Sequence, residues 1–194
     1  MTPAPPLPTV TPGRGWQSLA FAWGLAEATC FFIIPDVLSS RLVLLQPRQG
    51  FAACFSSLAG ALVGGALLYF LGHDPARSAA LLATADWLPG ISPALGEQAR
   101  QGLATHGPLA LFLGVLNGIP YKLYAIQAAN AGLGFASFML TSVGARLARF
   151  LAVTGLAWFV GARLLPNLSA AAKLRIHAVF WGLFYFIYFW TMGV

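Results

Sequence analysis

The chain has 194 residues, of which 58% are hydrophobic and only 8% are charged, whereas a soluble domain carries about 25% charged residues. Together with a mean hydropathy of +0.75, this composition excludes a soluble globular domain, a disordered chain and a nucleic-acid-binding protein. The 11 Lys and Arg residues outnumber the 5 Asp and Glu residues, an excess typical of charges that orient a membrane protein. The length predicts a single membrane domain over residues 15–194.

The chain begins with a polar tail and continues as a series of apolar blocks. Residues 1–14 are rich in Pro and Thr, which predicts a disordered tail. They lack the basic start and short apolar core of a signal peptide. The blocks that follow predict an all-α polytopic membrane protein. They cover residues 15–46, 51–71, 108–131, 133–161 and 176–194.

Two of these blocks are broken near the middle by a proline that has a charged residue close by. Pro35 breaks the first block and Pro120 breaks the third, which leaves an arm of ten residues after Pro35 and two half-length arms around Pro120. Ten residues form about 15 Å of helix, half of a hydrocarbon core of about 30 Å. Proline also removes a backbone donor and disfavours helix in the residue before it. Residues 15–46 and 108–131 are therefore predicted to be re-entrant hairpins.

The two hairpins and the spans behind them predict an internal repeat. Pro35 and Pro120 are 85 residues apart, and the following spans begin near Phe51 and Phe135, 84 residues apart. One full span lies between the hairpins, so the second hairpin enters from the opposite face. This is the arrangement of an inverted-topology repeat, as in many secondary transporters. The alternative is that the two similar offsets arise by coincidence and that the chain contains no repeat.

The distribution of charge predicts the orientation. Basic residues flank the first hairpin and fill the connection before the last span, whereas residues 72–107 carry a net charge of −1. The positive-inside rule then predicts three full spans, with a cytoplasmic N-terminus and a periplasmic C-terminus. The outer loop, residues 72–107, is predicted to hold short amphipathic helices around residues 77–87 and 93–105.

Five charged residues fall at depths where lipid disfavours them. Each costs about 2.5 to 3.5 kcal/mol to insert unless it is paired or hydrated, so such residues are functional candidates. The alternative is that they form structural ion pairs that pin the hairpins together. The five are Glu27, Asp36, Lys122, Arg146 and Arg149.

The basic and acidic members of this set predict different roles. Arg146 and Arg149 are three residues apart and share a helix face; with Lys122 at the second hairpin tip, they are predicted to bind the phosphate of an anionic lipid. Glu27 and Asp36 are predicted to exchange protons, since a buried carboxylate can bind and release a proton near neutral pH. Two alternatives stay open: Arg149 as an interfacial anchor, and both carboxylates as permanent partners of the arginines.

The remaining features predict packing and no further chemistry. Gly60, Gly64 and Gly65 form a small-residue face for close helix packing. The aromatic residues of the last block are predicted to face lipid. The histidines and cysteines do not cluster, and no nucleophile motif is present. We therefore predict no metal, no cofactor and no enzymatic activity.

Two short strings resemble a known family. They are Glu27-Ala28-Thr29 with Pro35-Asp36, and Gly118-Ile119-Pro120-Tyr121-Lys122 with Phe138 and Gly144-Ala145-Arg146. The first is similar to the first hairpin of the DedA (SNARE-associated, or VTT-domain) membrane proteins, which carries two acidic residues nine positions apart around a proline-rich turn. The second is similar to their second hairpin and the helix after it, most of all in the YqaA-like branch. The resemblance covers roughly residues 24–150.

This resemblance implies transport of lipid phosphates. DedA-type proteins are linked to recycling of undecaprenyl phosphate or translocation of phospholipids across bacterial membranes, with dependence on the proton gradient, and eukaryotic VTT relatives are linked to lipid scrambling. The predicted function is a proton-linked transporter or flippase of an anionic lipid in the bacterial inner membrane. Its predicted partners are membrane lipids and protons, and a homo-oligomer is left open. The alternative is a non-transporting integral-membrane scaffold or assembly subunit.

Overall fold

The structure, a computed structural model, describes residues 15–192, over which it contains helices and no strand. The predicted disordered tail over residues 1–14 lies outside the described residues. The α-helices are α1 (Gly15–Thr29), α2 (Asp36–Leu45), α3 (Pro47–Leu71), α4 (Pro75–Ala85), α5 (Pro93–His106), α6 (Ala110–Asn117), α7 (Tyr121–Gln127), α8 (Phe135–Phe159) and α9 (Ala170–Met192). Helix α8 continues at its C-terminal end as a π-helical turn, Val160–Leu164.

Three of the described helices are long and apolar enough to cross a membrane. They cover Pro47–Leu71, Phe135–Leu164 and Ala170–Thr191. The all-α fold class is thereby confirmed, and so is the number of helices that are long and apolar enough to span a membrane. The first of them begins at residue 47 because a proline suits the first turn of a helix, where its missing N–H is not needed.

Two pairs of shorter helices precede α3 and α8. Helices α1 and α2 have 15 and 10 residues, and α6 and α7 have 8 and 7 residues. At about 1.5 Å per residue, none of them reaches across a hydrocarbon core of about 30 Å. The order of two short helices followed by one long helix therefore occurs twice in the described chain.

Each break contains its predicted proline as the last residue before the following helix. The first covers residues 30–35, so most of it precedes Pro35, which caps α2 with helical dihedral angles. This position fits proline, whose restriction acts on the residue before it. In the second break, Gly118 caps α6 with a left-handed φ of 73°, and α7 follows Pro120.

The connection between α3 and α6 holds the two predicted short helices. They cover Pro75–Ala85 and Pro93–His106, against predictions of residues 77–87 and 93–105. The first begins earlier than predicted because the Asp74 carboxylate accepts hydrogen bonds from two backbone N–H groups of its first turn, at 2.8 and 3.0 Å. An N-terminal cap of this kind fixes where a helix starts.

Helices α3 and α8 organise the packing. Helices α1, α2 and α7 pack against α3, while α2 and α6 pack against α8, and α3 contacts α8 directly. Helices α4 and α5 cover α7, and α9 packs on α2. As a result, α2 bridges the two long helices and brings the first break toward α8.

Small residues bring α1 onto α3. A Cβ atom on Gly60 would collide with the carbonyl oxygen of Phe21, and one on Gly64 would lie 2.9 Å from the Cβ of Ala28. Gly65 faces the other way, against the hydroxyl of Tyr121. The predicted close-packing role of the glycine face is confirmed, and it serves α7 as well as α1.

We expect Gly60→Val to destabilise the fold by about 1–3 kcal/mol or more, because the added carbon meets backbone that cannot rotate away. Chemical unfolding in detergent micelles measures the change. Gly155→Val on α8 is the matched control, since nothing lies within 4 Å of a Cβ at that position. Equal stability of the two variants would contradict the close contact between α1 and α3.

Candidate functional site

The two helix breaks meet inside the molecule. Lys122, at the start of α7, donates a hydrogen bond from Nζ to the carbonyl oxygen of Phe31 in the first break, at 2.7 Å. The Lys122 side chain is buried, with 3% of its surface exposed. The cation therefore satisfies a backbone acceptor that the end of α1 leaves free.

Other side chains bond to two more backbone groups of the first break. The indole Nε1 of Trp23 donates to the carbonyl oxygen of Ile33 at 2.9 Å. The backbone N–H of Ile34 donates to the hydroxyl of Tyr185, on α9, at 2.9 Å. Irregular backbone survives in an apolar environment only when its polar groups have partners of this kind. Side chains of α1, α7 and α9 therefore all hydrogen-bond to the backbone of this break.

Glu27 and Arg146 form a buried ion pair between α1 and α8. Their side chains are 9% and 3% exposed, and the contact is a hydrogen bond from Nη2 to Oε2. The guanidinium of Arg146 also lies over the ring of Tyr121, 4.4 Å from its centroid. The Tyr121 hydroxyl in turn donates to Ser142 at 3.0 Å. The aromatic face thus stabilises the cation from α7.

Asp36 and Arg149 form a second pair, between α2 and α8. Nη2 of Arg149 lies 3.1 Å from Oδ2 of Asp36, but neither carboxylate oxygen makes an aligned hydrogen bond within the described chain. The Asp36 side chain is fully buried, whereas that of Arg149 is 23% exposed. Arg149 is thus paired with a buried carboxylate and partly exposed, and its role as an interfacial anchor stays an alternative.

A cavity of about 260 Å³ lies where these groups converge. Four of the five predicted charged residues line it, and Asp36 is next to it through Arg149. The rest of the wall is mainly apolar and aromatic and includes Phe31, Phe32, Tyr185 and Tyr188. Three cations and two carboxylates leave an excess of one positive charge at this site.

Sequence reasoning missed a buried polar chain that connects α2, α3 and α8. Thr154 donates from its hydroxyl to Ser39 at 2.8 Å, and the thiol of Cys54 donates to Thr154 at 3.2 Å. The signal was present as small polar residues within apolar helices, which often hydrogen-bond between helices in membranes. Which residues face each other depends on helix docking, so the partners could not be read from spacing.

Comparison with known proteins identifies a similar chain in a bacterium. A protein of Haemophilus influenzae described as uncharacterized is 29% identical over 154 residues, which cover 77% of this chain and 72% of the relative. No family model matches the chain, and no solved structure matches it. The resemblance to the DedA proteins and the roles of the five charged residues stay predictions.

Proposed function

We propose that the protein is a proton-linked membrane transporter of an anionic lipid, such as a polyprenyl phosphate or a phospholipid. The observation that carries this proposal is the cavity of about 260 Å³ at the meeting point of the two helix breaks. It combines an excess of positive charge with aromatic and aliphatic walls. A charged headgroup and an apolar tail require this combination of surfaces.

Donor groups without an aligned hydrogen bond support an anionic substrate. Nε of Arg146 and Nε of Arg149 are buried and make no such bond within the described chain, and Nη2 of Arg149 has only its ion-pair contact with Asp36 at 3.1 Å. A guanidinium presents donors in a planar fork that matches the oxygen atoms of phosphate. In this proposal a phosphate oxygen accepts from these groups, while Lys122 keeps its bond to the first break.

The carboxylates support a link to protons. Deprotonated Asp36 competes with a bound phosphate for Arg149, because both are anions that require the same guanidinium. When Asp36 binds a proton, the guanidinium is released to the phosphate; when the proton leaves, the carboxylate takes it back. In the same way, deprotonated Glu27 on α1 competes with a bound phosphate for the guanidinium of Arg146 on α8. Proton binding and anion binding are thereby coupled through shared partners.

In the proposed membrane arrangement, α1–α2 and α6–α7 are re-entrant hairpins. Support comes from their lengths, from the side chains that complete the first break, and from reciprocal packing of α2 on α8 and of α7 on α3. We include in this proposal an inverted repeat, membership of the DedA family, and insertion in the bacterial inner membrane with a cytoplasmic N-terminus.

Reporter fusions after α5 and after α9 test the orientation. We expect a periplasmic signal from both fusions, and a cytoplasmic signal from either would contradict the proposed orientation.

The transport proposal is tested by flux in reconstituted vesicles. We expect Arg149→Gln to lower the rate of movement of a fluorescent polyprenyl phosphate or phosphatidylglycerol by about tenfold or more, because a charged hydrogen bond contributes roughly 1.5 to 3 kcal/mol. Arg77→Gln is the matched control, since Arg77 is exposed on α4. Transport by Arg149→Gln at the rate of the parent chain would contradict the proposal.

The alternative function, a non-transporting scaffold, is favoured by one observation. Only 6% of the apolar window of α9 is buried within the described chain, and residues such as Phe186 and Trp190 are largely exposed. This surface is suited to a partner helix as well as to lipid. Stoichiometric co-purification of a partner, with no lipid movement by the isolated protein, would favour the scaffold over the transporter.

A further inference from the structure

A second cavity lies away from the charged site, between α2, α8 and α9. Its volume is about 310 Å³, at the lower end of pockets that bind small ligands. Its wall is almost entirely apolar. The residues that define it include Leu44 on α2, Val153 and Ala157 on α8, and Ile176 and Phe180 on α9.

The polar side chains in this wall are occupied with each other. The Ser40 hydroxyl lies 2.8 Å from Nε2 of His177, and Nε1 of Trp181 donates to both, at 3.2 and 3.1 Å. The Ser40 hydroxyl also bonds to the backbone carbonyl of Asp36. Because these groups satisfy one another, the inner part of the cavity suits an apolar ligand.

Residues of the π-helical turn form part of the cavity wall. Val160 and Gly161 line it, and the backbone N–H of Leu165 bonds to the carbonyl of Val160 at 2.9 Å, a spacing of five residues. Such turns are frequent at functional sites. Gly161 faces Leu44 so closely that a Cβ atom would lie 2.5 Å from its side chain. The end of α8 therefore contacts α2 at this cavity.

One cation lies in the wall of this cavity. It is Lys173, near the start of α9. No acidic residue follows Glu97 in the whole sequence, and Lys173 forms no ion pair within the described residues. An apolar cavity with an unpaired cation in its wall complements a molecule that has an anionic head and an apolar tail.

We propose that this cavity binds one acyl chain of an anionic phospholipid, with the lipid phosphate on Lys173. The site is separate from the transport proposal and does not depend on it. The bound lipid fills the space between α8 and α9, both of which pack against α2. It thereby holds the last helix, and with it Tyr185, against the first break.

The test is native mass spectrometry of the full-length protein released from detergent, with phosphatidylglycerol and phosphatidylcholine of identical acyl chains. We expect one phosphatidylglycerol per chain, with at least tenfold preference over phosphatidylcholine. Ala157→Phe fills the cavity and should lose at least tenfold in binding. Ala152→Phe, on the exposed face of the same helix, is the matched control and should bind as the parent does.

A second variant keeps the test decisive if Ala157→Phe does not fold. Lys173→Gln should remove the preference for phosphatidylglycerol while phosphatidylcholine still binds. Free glycerol phosphate should displace no lipid, since the acyl chain provides most of the contact. Equal binding of both lipids by the parent would overturn the proposal. So would a lipid-free dimer that Ala157→Phe dissociates, which would assign the cavity to a second copy of the chain.

Discussion

Arg146→Met should destabilise the folded chain by about 3–5 kcal/mol, the cost of leaving one member of a buried ion pair without its partner. Glu27 lies on α1, and its side chain is only 9% exposed. The variant would retain this carboxylate in a largely apolar environment without its hydrogen-bonded partner. Chemical unfolding in detergent micelles measures the loss, and heating of the same sample gives an independent ranking.

The double variant Glu27→Leu/Arg146→Met separates the structural role of this pair from its functional role. Replacing both charges with apolar side chains of similar size removes the unpaired charge, and we expect most of the lost stability to return. Lipid movement in vesicles should stay absent, because the substrate contact is also removed. A double variant that transports at the parental rate would show that the pair is structural only.

Arg100→Met is the control for this experiment. Arg100 pairs with Glu97 on α5 at 2.6 Å, with both side chains largely exposed. The hydrogen bond from Arg100 lowers the pKa of Glu97 to about 2, so Glu97 stays charged at neutral pH with or without this partner. Water solvates an exposed carboxylate after its partner is lost. We therefore expect no measurable change in stability, in contrast to Arg146→Met.

The sequence was sufficient to predict the helices and the charged residues of the site, for reasons that are local. A long apolar run predicts a membrane-length helix because its backbone groups must bond internally. A charge inside such a run is costly, so it marks a site wherever it occurs. The apolar run and the charge within it can both be recognised from the composition of a few helical turns. Neither requires knowledge of how the helices dock.

The pairing of these charges could not be predicted, because it depends on how distant parts of the chain dock. Glu27 and Arg146 are 119 residues apart, and the sequence equally allows Glu27 to pair with Arg149. The choice is made by α2, which packs on α8 and directs Asp36 to Arg149. The apolar cavity between α2, α8 and α9 was also missed, since its wall comes from three helices whose docking no sequence motif indicates.

The position of the first break shows the same limit. Pro35 predicted an interruption, yet α1 ends at Thr29, six residues earlier. The intervening backbone is stabilised by Lys122 and Tyr185, which come from helices far along the chain. Local propensity predicted that a break exists, while side chains from α7 and α9 determine which backbone groups it exposes.

Asp36→Asn should uncouple lipid movement from the proton gradient while leaving the fold intact. The amide has nearly the same shape as the carboxylate, and the carboxylate oxygens make no aligned hydrogen bond that the substitution would remove. Arg149 is partly exposed and faces the cavity, so its charge can be neutralised there by substrate. Asparagine does not titrate, so in this variant the availability of the Arg149 guanidinium to substrate no longer depends on proton binding at residue 36.

The measurement compares flux of a labelled anionic lipid in vesicles with and without a pH gradient. For the parent chain, we expect the gradient to accelerate movement by about tenfold, equivalent to a coupling of about 1.4 kcal/mol, within the usual range for linked sites. For Asp36→Asn, both conditions should give the same rate. Asp86→Asn, on an exposed residue after α4, should respond to the gradient as the parent does. A gradient response retained in Asp36→Asn would exclude Asp36 as the proton-binding group and leave Glu27 as the remaining buried carboxylate of the site.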